Sequence, residues 1–205
     1  MRWWSSGGRR EYPWRNTRDP YRILIAEILL HRTRAEQVVP IYERFLATYP
    51  NLHLLANSSA DALEHAFRSV GLRWRWRLLT SMAQELESKY SAEIPEDKND
   101  LLSLPGVSEY IASAMRCFAY QEQDVLLDTN TVRIAGRLFG MRITDGSRRS
   151  RAFAEVLGDL RGDALCRDFN FALIDFAAKI CKAKKPLHDI CPVRMYCSFN
   201  KEAGT

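Results

Sequence analysis

The sequence is short of the features that mark membrane, disordered and secreted proteins. Glycine and proline supply 10 and 8 of the 205 residues, about 9% against roughly 12% in an average protein, which excludes a disordered or collagen-like chain. The longest apolar stretch, Ile23 to Leu30, is too short to cross a bilayer and is interrupted by Glu27. The N-terminal residues lack the apolar core and cleavage site of a secretory signal. We therefore expect a soluble, cytoplasmic protein with no membrane partner.

The cysteines lack the even number and regular spread of a disulfide framework. Of the five cysteines, Cys117 and Cys166 stand alone, whereas Cys181, Cys191 and Cys197 crowd the C-terminal end. This distribution favours a local metal or cluster loop.

No segment alternates apolar and polar residues as a half-buried strand does, and a 3.6-residue apolar period dominates instead. Asp19 as N-cap and Pro20 as the first helical residue predict a helix that continues through Ile28 and Leu29. The same pattern predicts further helices over residues 35–49, 61–70, 78–90, 99–103, 109–120, 128–139, 150–160 and 167–181. The sequence therefore predicts an all-α fold.

A tight turn precedes the predicted helix that begins at Glu109. Pro105 and Gly106 form this turn, and the backbone N–H groups of Gly106 to Ser108 then lie at an open helix N-terminus. Such a terminus binds phosphate through its free donors and the positive end of the helix dipole. An ordinary corner between two helices is the alternative interpretation.

A second helix start carries a carboxylate. The apolar residues Val125 to Leu127 lead to Asp128, which is well placed as an N-cap. Capping is the simpler interpretation of Asp128. Asp128 lies 18 positions after Tyr110, an interval that one helix and the chain returning from it can span. This interval favours a shared role of the two residues near the same bound backbone.

These motifs, in this order, resemble the helix-hairpin-helix DNA glycosylases of the endonuclease III and MutY superfamily. The resemblance extends over nearly the whole chain, although Ser108 replaces the second glycine of the family's hairpin. Further matching segments are Tyr12–Arg15, Asp19–Tyr21, Ala26–Leu30, Val70–Leu72 and Asp168–Phe176.

The resemblance implies two helical lobes with double-stranded, mismatch-containing DNA in the groove between them. Residues 21–129 would form a six-helix domain that carries the helix-hairpin-helix. Residues 1–20 and 130–205 would form the second lobe, with an iron–sulfur cluster loop at 181–197. We expect a monomer associated with the nucleoid, and the net charge of +5 agrees with a polyanionic partner.

The C-terminal loop keeps the family's ligand spacing with one change of residue. Cys181, His188, Cys191 and Cys197 are separated by six, two and five residues, the gaps of the four family cysteines, but histidine takes the second position. Three cysteines and one histidine can hold a [4Fe–4S] cluster or a structural zinc ion. A metal-free loop with His188 on the surface is the third possibility.

Basic residues are concentrated in two places. One set lies within the C-terminal loop, and the other follows the segment 70–72. Lys182, Lys184 and Lys185 are expected to contact DNA phosphates, unless they form only a solvated charge run. Arg73, Arg75 and Arg77 alternate with Trp74 and Trp76, a composition suited to base stacking and phosphate contact, with at least one tryptophan expected in the core.

The residue that follows the hairpin indicates the reaction class. Bifunctional members of the family carry a lysine there that forms a Schiff base with the sugar. The matching residue is Tyr110, and a phenol cannot form an imine, so the resemblance implies a monofunctional enzyme. Asp128 would stabilise the cation that develops on the deoxyribose and orient or activate a water molecule.

Tyr110 and the segment Leu30–Thr33 resemble thymine glycosylases that act on T:G mismatches. Arg32, with His31 beside it, would contact the guanine left unpaired by base flipping, and Leu72 would wedge the base stack. Surface and core positions, respectively, are the alternatives for Arg32 and Leu72. Glu27 is assigned to the base pocket, the alternative being the polar edge of its helix with His31 and Arg34.

We therefore predict a monofunctional DNA glycosylase of base excision repair that removes thymine, and more easily uracil, opposite guanine. A MutY-like adenine glycosylase acting on A:G or A:8-oxoguanine, with Glu27 as general acid, is the second hypothesis. A non-catalytic DNA-binding iron–sulfur protein is the third, and it would not require Asp128.

Overall fold

A computed structural model describes residues 2–8, 11–67 and 73–202, which form helices and short 3₁₀ turns with no β-strand among them. The all-α prediction is confirmed. The α-helices of the described residues are α1 (Arg2–Gly7), α2 (Pro20–Leu30), α3 (Ala35–Thr48), α4 (Leu52–Ala56), α5 (Ala60–Ala66), α6 (Arg73–Tyr90), α7 (Lys98–Ser103), α8 (Glu109–Phe118), α9 (Thr129–Phe139), α10 (Arg151–Arg161), α11 (Cys166–Lys179) and α12 (Ser198–Glu202).

The chain divides into two compact units. One unit is Arg10–Tyr120, with helices α2 to α8, and the other combines Met1–Arg9 with Gln121–Thr205. Within the described residues, no helix is both long enough and apolar enough to span a bilayer.

Helix α2 is a largely buried helix of the unit Arg10–Tyr120. Its start follows the sequence signal, because Asp19 accepts hydrogen bonds from the N–H groups of Tyr21 and Arg22, and Pro20 occupies the first turn. Nearly every residue from Tyr21 to Leu29 is buried, since α3 and α8 both pack against the helix. This burial explains why an almost continuous apolar run forms a helix here.

Helix α6 begins five residues before the predicted start at residue 78. Trp76, Leu79 and Met82 are buried along one face of it, and Trp76 lies 5.2 Å from the ring of Phe67, centroid to centroid. The apolar period therefore extends through the alternating arginines and tryptophans. The expectation that at least one tryptophan belongs to the core is confirmed by Trp76.

The second unit has its own core between α9, α10 and α11. Its buried members are Val132, Ile134, Ala135, Phe153, Leu157, Phe169, Leu173 and Ala177. Helix α1 is attached to this unit by a buried hydrogen bond in which Trp4 Nε1–H donates to Asp175 Oδ2 at 3.0 Å.

Candidate functional site

The hairpin turn has the geometry that its sequence predicts. Gly106 has a φ of +80°, and the N–H of Val107 donates to the carbonyl of Leu104 at 3.1 Å. Pro105 and Gly106 occupy the second and third positions, as a type II turn prefers. A Cβ at residue 106 would lie 3.1 Å from Leu78 Cδ1, so both the backbone conformation and the space favour glycine.

Ser108 connects this turn to α8. Its backbone is extended, with φ −92° and ψ 167°, and its Oγ accepts a hydrogen bond from the N–H of Ile111 as the N-cap. Serine in place of a glycine therefore imposes no backbone strain here. Tyr110, in the first turn of α8, is partly buried.

Asp128 is the N-cap of α9 and is held by three donors. Its Oδ1 accepts hydrogen bonds from the N–H groups of Asn130 at 2.8 Å and Thr131 at 2.7 Å. Its Oδ2 accepts from Asn130 Nδ2 at 2.8 Å. The capping interpretation is confirmed, and the same contacts orient a partly exposed carboxylate.

Two buried side chains support the segment that leads to Asp128. Thr131 Oγ1 accepts from the N–H of Asp128 at 2.9 Å and donates to the carbonyl of Leu126 at 2.7 Å. Asn170 Oδ1 accepts from the N–H of Leu126 at 3.2 Å, while its Nδ2 donates to the carbonyl of Asp124 at 3.1 Å. Sequence reasoning missed this role of Asn170, because a single asparagine within a helix gives no signal of a backbone partner 44 residues away.

The segment from Leu30 to Thr33 forms a second turn with a left-handed third residue. The N–H of Thr33 donates to the carbonyl of Leu30 at 3.1 Å. His31 has φ −59° and ψ 111° and Arg32 has a φ of +60°, which are the angles of a type II turn. A left-handed conformation costs a non-glycine residue roughly 1–2 kcal/mol. Arg32 is exposed, so this strained turn presents a cation to solvent.

The side chain of Arg75 holds this turn from inside the fold. It is 1% exposed, its Nη1–H donates to the carbonyl of Leu29 at 2.8 Å, and its Nη2–H donates to Thr33 Oγ1 at 3.1 Å. Burial lowers the pKa of Arg75 to about 10. The expectation of a phosphate contact is therefore wrong for Arg75, because its charged group is enclosed by protein.

His31 and Trp74 meet beside the turn. The ring of Trp74, 45% exposed, lies edge-on to His31 with centroids 5.8 Å apart. Partial burial and the charges of Arg75 and Arg32 lower the pKa of His31, which favours the neutral imidazole. Arg32, His31 and Trp74 thus form one exposed surface, here called the turn surface.

Glu27 is 7% exposed, one helical turn before His31. Its burial contradicts the alternative that placed it on a polar edge with His31 and Arg34, both of which are exposed. Leu72, the expected wedge, lies outside the described residues.

The C-terminal loop brings its four candidate ligands to one cavity, which Cys181, His188, Cys191 and Cys197 all line. The three cysteines are free, and burial raises the pKa of the Cys191 thiol. The remaining lining is largely apolar and comes from α9, the end of α11, α12 and the loop itself. Three sulfur donors and one imidazole around such a cavity fit a polynuclear cluster.

A single ion fits these donors less well. Among the residues that the structure describes, no group of three or more His, Cys, Asp or Glu side chains converges closely enough to hold one metal ion. Tetrahedral zinc requires such convergence of its ligands.

Two arginines of α9, missed by sequence reasoning, hold the first cysteine and the chain after it. Arg133 Nε–H donates to the carbonyl of Cys181 at 3.0 Å. Arg137 donates to the carbonyls of Lys182 and Ala183 at 2.8 and 2.7 Å and approaches Cys181 Sγ at 3.5 Å. The side chains of Lys182, Lys184 and Lys185 remain exposed, as a phosphate-contacting surface requires.

Comparison with known proteins agrees with this architecture. Residues 25–158 match the model of the HhH-GPD superfamily base excision DNA repair proteins. Residues 181–197 match the iron-sulfur binding domain of endonuclease III, so the C-terminal loop is an iron–sulfur binding segment.

Three relatives and one solved structure illustrate the similarity. The thymine-DNA glycosylase of Aeropyrum pernix is 37% identical, over 97% of this chain and 91% of that protein. The thymine/uracil-DNA glycosylase of Methanothermobacter thermautotrophicus is 34% identical, over 96% and 90%. The adenine DNA glycosylase of Mycolicibacterium smegmatis is 30% identical, and the match covers 65% of its length. The structure of a thermostable thymine-DNA glycosylase superposes with a TM-score of 0.91 at 34% identity, covering 98% and 93% of the two chains.

Proposed function

Since the chain belongs to the HhH-GPD superfamily of base excision DNA repair proteins, we propose that it is a monofunctional DNA glycosylase for mismatched thymine and uracil. It hydrolyses the N-glycosidic bond of these bases opposite guanine in double-stranded DNA. The observation that carries the proposal is the half-buried Asp128 carboxylate, oriented by three donors, in a chain similar over nearly its whole length to thymine and thymine/uracil glycosylases.

Asp128 acts where positive charge develops. As the bond between the base and C1′ breaks, the deoxyribose becomes cationic, and a fixed carboxylate stabilises that charge without reorganising. The same oxygens orient a water molecule and accept its proton as the water oxygen bonds to C1′. The base leaves with the electron pair of the broken bond, and an abasic sugar remains.

Tyr110 replaces the amine that would be needed for strand cleavage. A Schiff base requires a primary amine, so a phenol at this position leaves the abasic strand intact until alkali is added. Tyr110 contributes instead to the base pocket, together with the buried Glu27.

The turn surface supplies contacts to the opposite strand. The guanidinium of Arg32 carries paired donors, and guanine offers paired acceptors. His31 adds an imidazole beside it. Leu72 wedges the base stack in this proposal. Discrimination for guanine is therefore assigned chiefly to Arg32.

DNA is bound through phosphates at two further places. The N–H groups of Gly106 and Ser108 lie at the start of α8, a position that suits an anionic oxygen. The exposed Lys182, Lys184 and Lys185 add cations, which makes affinity fall as salt rises. We propose that one monomer binds one mismatch.

The C-terminal loop holds a [4Fe–4S] cluster through Cys181, His188, Cys191 and Cys197. A bound cluster would cross-link the loop and give it a fixed charge. Iron and acid-labile sulfide, measured in the purified protein and in His188→Cys and His188→Ala, test the assignment. Normal iron in His188→Ala would remove His188 from the ligand set, and zinc without sulfide would favour a zinc site.

The principal experiment is single-turnover base release from end-labelled T:G and U:G duplexes, developed with and without alkali. Strand breaks only after alkali are expected. Asp128→Asn should slow release by about 10³-fold, because asparagine still caps the helix but carries no charge.

Asp97→Asn is the matched control. Asp97 is the N-cap of α7 and accepts from the N–H groups of Asn99 and Asp100, so the same change removes a capping carboxylate elsewhere. This variant should release base at the normal rate. Breaks without alkali would contradict the role of Tyr110, and equal rates for both variants would contradict that of Asp128.

The adenine hypothesis is tested in the same assay. Release from A:G or A:8-oxoguanine, but not from T:G or U:G, would favour adenine excision with Glu27 as general acid. Duplex binding without any base release would favour the non-catalytic DNA-binding protein.

A further inference from the structure

The turn Leu30–Thr33 adopts a conformation that its own residues do not favour. A type II turn prefers proline and then glycine at its central positions, and histidine and arginine stand there instead. A non-glycine residue keeps a positive φ only when its surroundings determine it. Some tertiary contact must therefore hold Arg32 in its left-handed conformation.

Arg75 makes that contact at both ends of the turn. Its Nη1–H reaches the carbonyl of Leu29, the residue before the turn, and its Nη2–H reaches the hydroxyl of Thr33, the last residue of the turn. One rigid guanidinium thus spans the chain on either side of His31 and Arg32. The guanidinium is enclosed, so it cannot itself contact DNA in this conformation.

We infer that Arg75 is a positioning residue for opposite-base recognition: it clamps the turn so that Arg32 is presented in one conformation to the base opposite the excised one. The inference rests on the proposed function for the role of Arg32. It assigns to Arg75 a part in specificity although the side chain is buried. Arg75 is also 46 residues from Leu29 in the sequence, so the sequence alone does not indicate this role.

Lysine could not replace Arg75 in this role. An ammonium is a compact point charge, whereas the planar guanidinium holds two acceptors in fixed relative positions. The comparison of Arg75→Lys with Arg75→Met therefore separates the clamp from the charge. If the clamp matters, both variants lose discrimination; if only charge matters, the lysine variant retains it.

The test compares U:G with U:A duplexes in single-turnover base release, at a temperature where circular dichroism shows each variant folded. Arg75→Met and Arg75→Lys should each lower the U:G over U:A preference by about tenfold. Arg75→Met should change the preference little further in an Arg32→Ala background, because it acts through Arg32. Additive effects of the two substitutions, or a preference equal to that of the unsubstituted protein, would overturn the inference.

Arg116→Met is the matched control, because Arg116 Nη1–H also donates to a backbone carbonyl, that of Glu96 at 3.0 Å, in the same unit. It should keep the normal preference. Should Arg75→Met not fold, Thr33→Val removes only the acceptor of Nη2–H and should lower the preference in the same direction. A normal preference in Thr33→Val would then contradict the clamp.

A binding measurement separates this inference from the proposed function. Dissociation constants for duplexes with a tetrahydrofuran abasic analogue opposite guanine or adenine require no base release. If the unsubstituted protein prefers guanine in this assay but releases no base, the proposed activity is refuted. The role of Arg75 is then tested by the binding preference of the same substituted proteins. Loss of that binding preference in Arg75→Met supports the clamp, and its retention overturns it.

Discussion

Two turns in the unit Arg10–Tyr120 share a backbone conformation but not a composition. Leu104–Val107 connects α7 to α8, and Leu30–Thr33 connects α2 to α3. Each turn is closed by an N–H to carbonyl hydrogen bond of 3.1 Å, and each has a third residue with positive φ, Gly106 at 80° and Arg32 at 60°.

The two turns differ in what stabilises them. Proline and glycine make the hairpin turn locally favourable, and Ser108 then caps α8. The other turn has arginine in the left-handed position, and Arg34 at the start of α3 makes no side-chain capping bond. Its stability comes from the buried Arg75. The hairpin turn is thus stabilised by its own residues, whereas the turn Leu30–Thr33 is stabilised by packing. The second of these turns has a charged residue exposed to solvent.

The largest expected effect follows from giving the hairpin turn a side chain. Gly106→Ala should lower the free energy of unfolding by about 2 kcal/mol, because alanine is strained at positive φ and its Cβ would lie 3.1 Å from Leu78 Cδ1. Thermal unfolding should show a fall in Tm of about 4–8 °C. Gly158→Ala is the control: a Cβ there meets nothing within 4 Å, so this helical substitution should stabilise.

Removing the helix cap that follows the hairpin turn should have the next largest effect on stability. Ser108→Ala should cost about 1 kcal/mol, since the N–H of Ile111 loses its acceptor. Ser59→Ala removes the equivalent cap of α5, where Oγ accepts from the N–H of Ala62, and should lower Tm by a similar amount. A Tm unchanged in Ser108→Ala would mean that Ser108 does not cap α8 in solution.

Relieving the strain in the turn Leu30–Thr33 should raise the stability of the protein, whereas the two preceding substitutions should lower it. Arg32→Gly should raise Tm by about 2 °C, because relief of left-handed strain exceeds the entropy cost of glycine by somewhat under 1 kcal/mol. The same variant should lose preference for guanine opposite uracil by about tenfold. Arg32→Ala should lose the preference without the gain in Tm, since alanine keeps the strain. A Tm lower in Arg32→Gly than in Arg32→Ala would refute the argument from strain.

The smallest effect concerns the uncapped start of α3. Arg34→Ser should add a capping acceptor and remove a cation from the positive end of the helix dipole, together about 0.5–1 kcal/mol. The Tm should rise by about 2 °C. Arg77→Ser is the control, because Arg77 is an exposed arginine within α6 and not at a helix start. This substitution should not raise Tm.

Local signals made much of this protein predictable. Asp19 and Asp128 were readable as caps, because a cap bonds to N–H groups two or three residues ahead. The Pro105–Gly106 turn and the spacing from Cys181 to Cys197 were equally local. Lys182 and Arg32 are exposed, which suits the DNA contacts predicted for them and equally the alternative of a solvated surface position.

Other residues gave no readable signal because their partners are distant in the sequence. Arg75 was interpreted as a phosphate contact from its neighbours Trp74 and Trp76. Asn170 was noted only as part of the family-matching segment Asp168–Phe176. Arg133 and Arg137 were not considered for the loop that they hold. Each of these side chains has at least one backbone carbonyl or N–H as its partner, a group which every residue possesses and no pattern identifies.

By itself, the amino-acid sequence determined the all-α fold, the caps at Asp19 and Asp128, the hairpin turn and the spacing of the four candidate ligands in the C-terminal loop, because each depends on a short stretch of chain. Only the tertiary structure decided which carboxylates and cations are enclosed: Glu27 and Arg75 are buried, whereas Arg32 is exposed. The physical reason is that burial and left-handed strain are determined by packing between helices. The sequence therefore does not show that Arg32 occupies a position that favours glycine, and only the fold reveals it.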